Sequence, residues 1–232
     1  MSAETSLGIT HFIGQTDTVG MMLFLTLIGM SVLSWTVLIY KAWRLWQQRR
    51  QSRTFLTHFW RAPSMDAVHV HLQERGVHEP FAELSWQALQ AQAHHAQWCA
   101  NTLAQTGTPQ EYLTRTLRKT LDEVGARQEN GLTLLATVAS TAPFVGLFGT
   151  VWGVYHALVA IGLSGSGSLD KVAGPVGEAL IMTGLGLAVA IPAVVGYNTL
   201  SRANRQLAAR LDSFAFELFT FVSTGQVLAR RA

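Results

Sequence analysis

The chain has 232 residues, of which 49% are hydrophobic and only 13% charged, and its formal net charge is +3. A soluble domain carries about 25% charged residues, so this composition points to a membrane protein of one or two domains. The single cysteine, Cys99, excludes a disulfide framework within one chain, and the distribution of charge says more than its small sum.

Residues 1–17 contain no Lys or Arg. The basic n-region of a secretory signal is therefore absent, and the apolar run that follows is too long for an h-region. Thr18 to Tyr40 is 23 residues without a charge, bounded by Asp17 and Lys41. A bilayer core of roughly 30 Å needs about 20 apolar residues as helix, so 18–40 is the first predicted transmembrane helix. Trp35, Tyr40, Trp43 and Trp46 beside Lys41 and Arg44 suit a cytoplasmic interface.

Residues 41–131 are expected to form a cytoplasmic helical domain. SRTFLTHFW and FAELSWQALQAQAHHAQW have apolar faces and read as short helices, with breaks at Pro63-Ser64 and from Gly76 to Pro80. Thr108-Pro109-Gln110-Glu111 is a helix start, with a capping box and proline at the first helical position. Leu113, Leu117, Leu121 and Val124 then recur at three or four residues. Gly125 and Gly131 weaken the run without ending it, so the expectation is one helix from Pro109 to Leu163, on the order of 80 Å long.

The stretch Asn130–Leu169 has no Asp, Glu, Lys or Arg and holds the second transmembrane helix, 132–162. The Gly/Ser-rich 163–171 turn, LSGSGSLDK, joins it to a third, 172–197, in which Glu178 is the only charged residue. In the tail, 198–232, Leu200, Leu207, Phe214 and Phe221 fall seven apart, as do Asn204, Leu211 and Leu218. That seam carries the third helix on to about Val222 and suits a bundle with neighbouring helices. The expected fold is all-α: a polytopic membrane protein with three transmembrane helices, two of them extended into a cytoplasmic helical bundle.

Segment 41–131 carries 11 Lys/Arg and 198–232 carries five, against Lys171 alone in the 163–171 turn and none before residue 18. The positive-inside rule places the N-terminus and that turn outside and both large polar segments in the cytoplasm. Gly149 and Gly153, like Ala142 and Gly146, are four apart; Gly174, Gly177, Gly184, Gly186, Ala188 and Ala190 crowd the third span. Small residues at such spacing let helix backbones approach closely in lipid, so spans two and three are expected to be packed, within one chain or between copies. Pro192 removes a backbone bond in span three.

Glu178 is the sharpest functional feature. A carboxylate at a helix centre costs about 2.5–3.5 kcal/mol on insertion scales and marks function by default. Desolvation disfavours a charged carboxylate, so such a group can take up a proton, cross a change of state neutral and release it. Thr150 and Thr183 offer hydroxyls. Thr183 lies roughly 140° around the helix from Glu178, so a shared pore needs several helices. His156, in the second span, carries an imidazole that can donate or accept a proton and is a candidate for a minor pore role. Neither His69 and His71 nor His94 and His95 form a metal set, no Walker loop or catalytic triad is visible, and neither an enzyme nor a nucleic-acid binder is expected.

STAPFVGLFGTVWGV (140–154) and AGPVGEALIMTGLGLAVAIPAVVGYN (173–198) resemble the ExbB/TolQ/MotA family of proton-channel proteins, the three-span layout fitting its ExbB and TolQ branches. The SGSGSLDKVAGPVGEALIMT stretch looks more like ExbB, while His156 keeps a TolQ-like reading open. The resemblance implies an inner-membrane homopentamer whose second and third spans line a pore. That pore would hold helices of ExbD, a single-span partner with a membrane Asp. Such a complex uses the proton motive force, with protons as coupling ion and no cofactor, to energise TonB and outer-membrane uptake of siderophores, haem or vitamin B12. By motif, Glu178, Thr150 and Thr183 are the polar pore residues. The rivals are TolQ-like service to the Tol-Pal envelope system, a non-conducting membrane scaffold, and a small-solute channel.

Overall fold

A computed structural model describes residues 17–98, 108–164 and 169–224. Residues 1–16, Cys99 and residues 165–168 of the predicted hairpin lie outside it. So do the side chains of His94, His95, residues 169–175 and Glu178. Every regular element among the described residues is an α-helix: α1 (Thr18–Phe59), α2 (Met65–Arg75), α3 (Pro80–Trp98), α4 (Pro109–Glu129), α5 (Leu132–Ser164) and α6 (Leu169–Thr224). Three stretches are long and apolar enough to cross a bilayer: Thr18–Phe59, Pro109–Leu163 and Ala179–Ser223. The chain divides into two units, one of residues 1–40 and 131–199, the other of residues 41–130 and 200–232.

In the first unit, Asp17 starts α1. Its carboxylate accepts from the Gly20 backbone N–H at 2.8 Å, an N-cap that satisfies a donor the first turn leaves orphaned. The interior is small: Leu27, Val138, Ala142, Met182, Ala190 and Ala193 are buried together. Most bulky side chains point outward instead, among them Val32, Phe144, Val151, Leu158, Leu180 and Val195, each at least half exposed. Apolar residues outside and small ones inside invert the soluble pattern, as expected where lipid or other copies surround the helices.

The second unit has a conventional aromatic core. Phe214 stands edge-on to Phe59 at 5.0 Å and to Phe81 at 5.4 Å between ring centroids. The tail seam faces this core: Leu211, Phe214 and Leu218 are buried and Leu207 packs against them. From α4 come Leu113, Leu117 and Val124. The Thr108–Glu111 capping box and Pro109 start α4 as the sequence predicts. Ser64 caps α2, and Gly76 closes it at φ +76°.

Two local expectations fail. SRTFLTHFW is no separate helix but the end of α1, because no glycine or proline interrupts residues 41–59. The helix expected from Pro109 to Leu163 is broken at Asn130–Gly131. Gly131 adopts φ +82°, a left-handed conformation that ends a helix and that glycine enters without steric cost. The freed Gln128 carbonyl is satisfied twice, by the Lys41 ammonium at 2.9 Å and the Asn204 amide at 2.8 Å. The polar member of the tail seam is thus a helix-end cap.

Candidate functional site

The site lies where α5 and α6 pack antiparallel within the first unit. A Cβ placed on Gly146 would sit 2.6 Å from the Met182 carbonyl oxygen and 3.1 Å from the Gly186 Cα. One on Gly186 would sit 2.7 Å from the Ala142 carbonyl oxygen. Backbone meets backbone at these two positions, so neither tolerates a side chain. Gly149 faces Met182 and Gly153 faces Ala179, at 3.0 and 2.9 Å. Gly184 has nothing within 4 Å of its Cβ position, so in the single chain the close approach belongs to Gly186 instead. Pro192 lies inside α6, which continues through it.

This close approach brings Thr150 and Thr183 together. The Thr150 hydroxyl lies 3.2 Å from its own helix's Gly146 carbonyl and 3.1 Å from the Ala179 carbonyl on α6. It is also hydrogen-bonded to the Thr183 hydroxyl, which in turn reaches the Gly146 carbonyl at 3.5 Å. Each hydroxyl has one proton and two lone pairs. Two protons therefore serve only two of these four contacts at a time, which leaves the pair alternative donor patterns. Both residues are half-buried. The threonines are more than helix hydroxyls bonded to their own carbonyls: they form a polar bridge across an otherwise apolar seam. Ala179, whose carbonyl completes it, follows Glu178 in the chain. The Glu178 backbone is in α6; its side chain lies outside the described residues.

His156 is engaged elsewhere. Its Nε2 is 3.7 Å from the Asp17 carboxylate, which also accepts from the Trp152 indole N–H at 2.7 Å. The Trp152 and His156 rings lie 4.8 Å apart. His156 is six residues beyond Thr150, roughly 9 Å along the helix. Sequence reasoning missed the Asp17–Trp152 link: Asp17 read only as the edge of a span, and nothing in the sequence connects positions so far apart. Among the described residues, no three His, Cys, Asp or Glu side chains come together as a metal site would need.

Comparison with known proteins places this geometry in context. The profile of the MotA/TolQ/ExbB proton channel family matches residues 78–213. The chain is 40% identical over 233 residues to a biopolymer transport protein ExbB of Xanthomonas campestris pv. campestris, covering 97% of this chain and 92% of the relative. It is 39% identical over 203 residues to an ExbB of Neisseria meningitidis, covering 87% of this chain and 91% of the relative. A Tol-Pal system protein TolQ of Haemophilus influenzae is 29% identical over 209 residues, 87% of each chain.

Proposed function

Because the chain belongs to the MotA/TolQ/ExbB proton channel family, we propose that it is the ExbB-type subunit of an inner-membrane proton-driven motor. It assembles as a homopentamer around an ExbD-like single-span partner carrying a membrane Asp. It energises a TonB-like transducer for outer-membrane uptake of siderophores, haem or vitamin B12. Residues 1–17 and the 163–171 turn face the periplasm, and both basic segments face the cytoplasm, as the charge asymmetry requires.

The observation that carries this reading is the Thr150–Thr183 bridge beside the Ala179 peptide, one residue past Glu178. Glu178 alternates between carboxylate and carboxylic acid, and the hydroxyls supply donors and acceptors that rearrange around it without leaving an orphaned group. The partner's acid completes the relay, since this chain has no second carboxylate within its spans. One charge moving down 100 mV releases about 2.3 kcal/mol, and each passage biases displacement or rotation of the partner helices. Gly146, Gly149 and Gly153 hold the hairpin closed within a copy. Gly184, open in the single chain, and Pro192 shape contacts between copies.

The test is Glu178→Gln in cells lacking their own copy of this subunit. Co-purification reads assembly; siderophore uptake and iron-limited growth read function. An assembled complex without uptake is expected. Full uptake by an assembled Gln variant defeats the proposal and leaves the non-conducting scaffold. The TolQ relatives, at 29% identity, support a second reading: rescue of envelope integrity rather than iron-limited growth selects it.

A further inference from the structure

The second unit carries a groove of about 160 Å³ between α1 and α6 that the proton pathway does not use. The exposed Arg49 and Arg53 from α1 and Arg210 from α6 line it, and its more buried floor combines Leu45, Leu56, Phe81 and Leu207 with the polar Gln48 and Ser52. No carboxylate lines it. Glu79 accepts from the lining residue Ser52, and its oxygens are also committed to the Phe81 and Ala82 backbone N–H groups. Two of the unit's other arginines have partners: Arg50 lies over the Trp46 ring at 3.9 Å, and Arg127 pairs with Glu83 at 2.6 Å. Arg49, Arg53 and Arg210 have no ion-pair partner among the described residues. Arg49 and Arg53 are one helical turn apart, a spacing at which like charges repel.

We propose that this groove binds a short acidic peptide segment of a partner protein, seating one apolar side chain on the floor between carboxylates held by the arginines. Size and chemistry select this occupant. A cavity of about 150 Å³ holds one benzene-sized group, whereas small-molecule sites run to roughly 300–1,000 Å³. The groove therefore seats one side chain of its occupant. Inorganic phosphate would use the arginines and leave the floor wet. Carboxylates on either side of one aliphatic residue match both, through bidentate guanidinium contacts. The inference rests on the second unit alone and is independent of the proposed transport role.

The experiment uses the full-length chain in neutral-lipid nanodiscs. The probes are fluorescent peptides in which one leucine is flanked by aspartate pairs at three different spacings, read by anisotropy at low and high salt. At least one is expected to bind and to weaken as salt rises. Its asparagine analogue and an Arg49→Gln/Arg53→Gln chain should each bind about tenfold more weakly, and a photocrosslinker at Gln206 should capture the peptide. The proposal is overturned if no spacing binds, if acid and amide peptides bind alike, or if the double variant binds like wild type. Displacement by inorganic phosphate at matched ionic strength assigns a phosphate site instead. Binding of phosphatidylglycerol vesicles lost in the double variant, with the peptides inert, assigns a lipid headgroup site; either result also overturns it.

Discussion

Gly146→Ala is the most direct test of the α5–α6 contact. The new methyl would lie 2.6 Å from the Met182 carbonyl oxygen, where ordinary contact begins at 3.4 Å. Relief requires the helices to separate by about 0.8 Å, the difference of those distances, because the obstacle is backbone and no rotamer change removes it. The Thr150 hydroxyl starts 3.1 Å from the Ala179 carbonyl; the same separation takes it to about 3.9 Å, beyond hydrogen-bonding range. Overpacking costs about 1–3 kcal/mol, and alanine returns about 0.5–1 kcal/mol of helix propensity. The net expectation is a loss of up to about 2.5 kcal/mol, read by SDS titration of the purified chain with tryptophan fluorescence. Gly184→Ala has open space around it and is expected to be neutral or slightly stabilising in the isolated chain. If the two variants melt alike, the close approach is not what holds this hairpin.

Three further outcomes follow from the same structure. Thr150→Val should cost about 0.6–1.7 kcal/mol in the same titration and impair proton-coupled uptake, with Thr150→Ser restoring both; a silent valine variant removes the bridge from the mechanism. Gly131→Ala should destabilise by about 1–2 kcal/mol, because φ +82° is strained for any residue with a Cβ, while Gly125→Ala, in helical backbone with open space, should be neutral or better; equal melting of the two contradicts this account of the break. Glu79 is held above its ordinary value of 4.5 by burial, against opposing hydrogen bonds from Ser52, Ala82 and Phe81. Its folded state therefore holds the proton to higher pH than the unfolded state, and stability falls as pH rises from about 4.5 through the raised value. Glu79→Gln should flatten that part of the stability–pH curve and leave the rest; an unchanged slope there shows that Glu79 does not set it.

Much of this chain is legible from local pattern because its physics is local. An apolar run of 23 residues must be helix in lipid, since no water satisfies its backbone. The Thr108–Glu111 box and the seven-residue tail seam act within one helix, so they read correctly. Glu178 stands out by cost alone. The break at Gly131 was not legible: glycine is tolerated in helices, and only the Lys41 and Asn204 side chains waiting at the Gln128 carbonyl favour ending the helix there. The same holds for α1, whose continuation to Phe59 is fixed by the Phe59–Phe214 contact as much as by a missing breaker.

By itself the sequence determined three membrane-length helices, their basic and neutral flanks, and a costly acid in the last of them. Tertiary structure alone decided that Gly146 meets Gly186 while Gly184 meets nothing, that Thr150 and Thr183 share a bond, and that Asp17 reaches Trp152. Composition and periodicity report which face of a helix is small or polar. Which neighbour that face meets, and in what register, is set by approach between segments 33 to 135 residues apart, for which a one-dimensional pattern carries no signal.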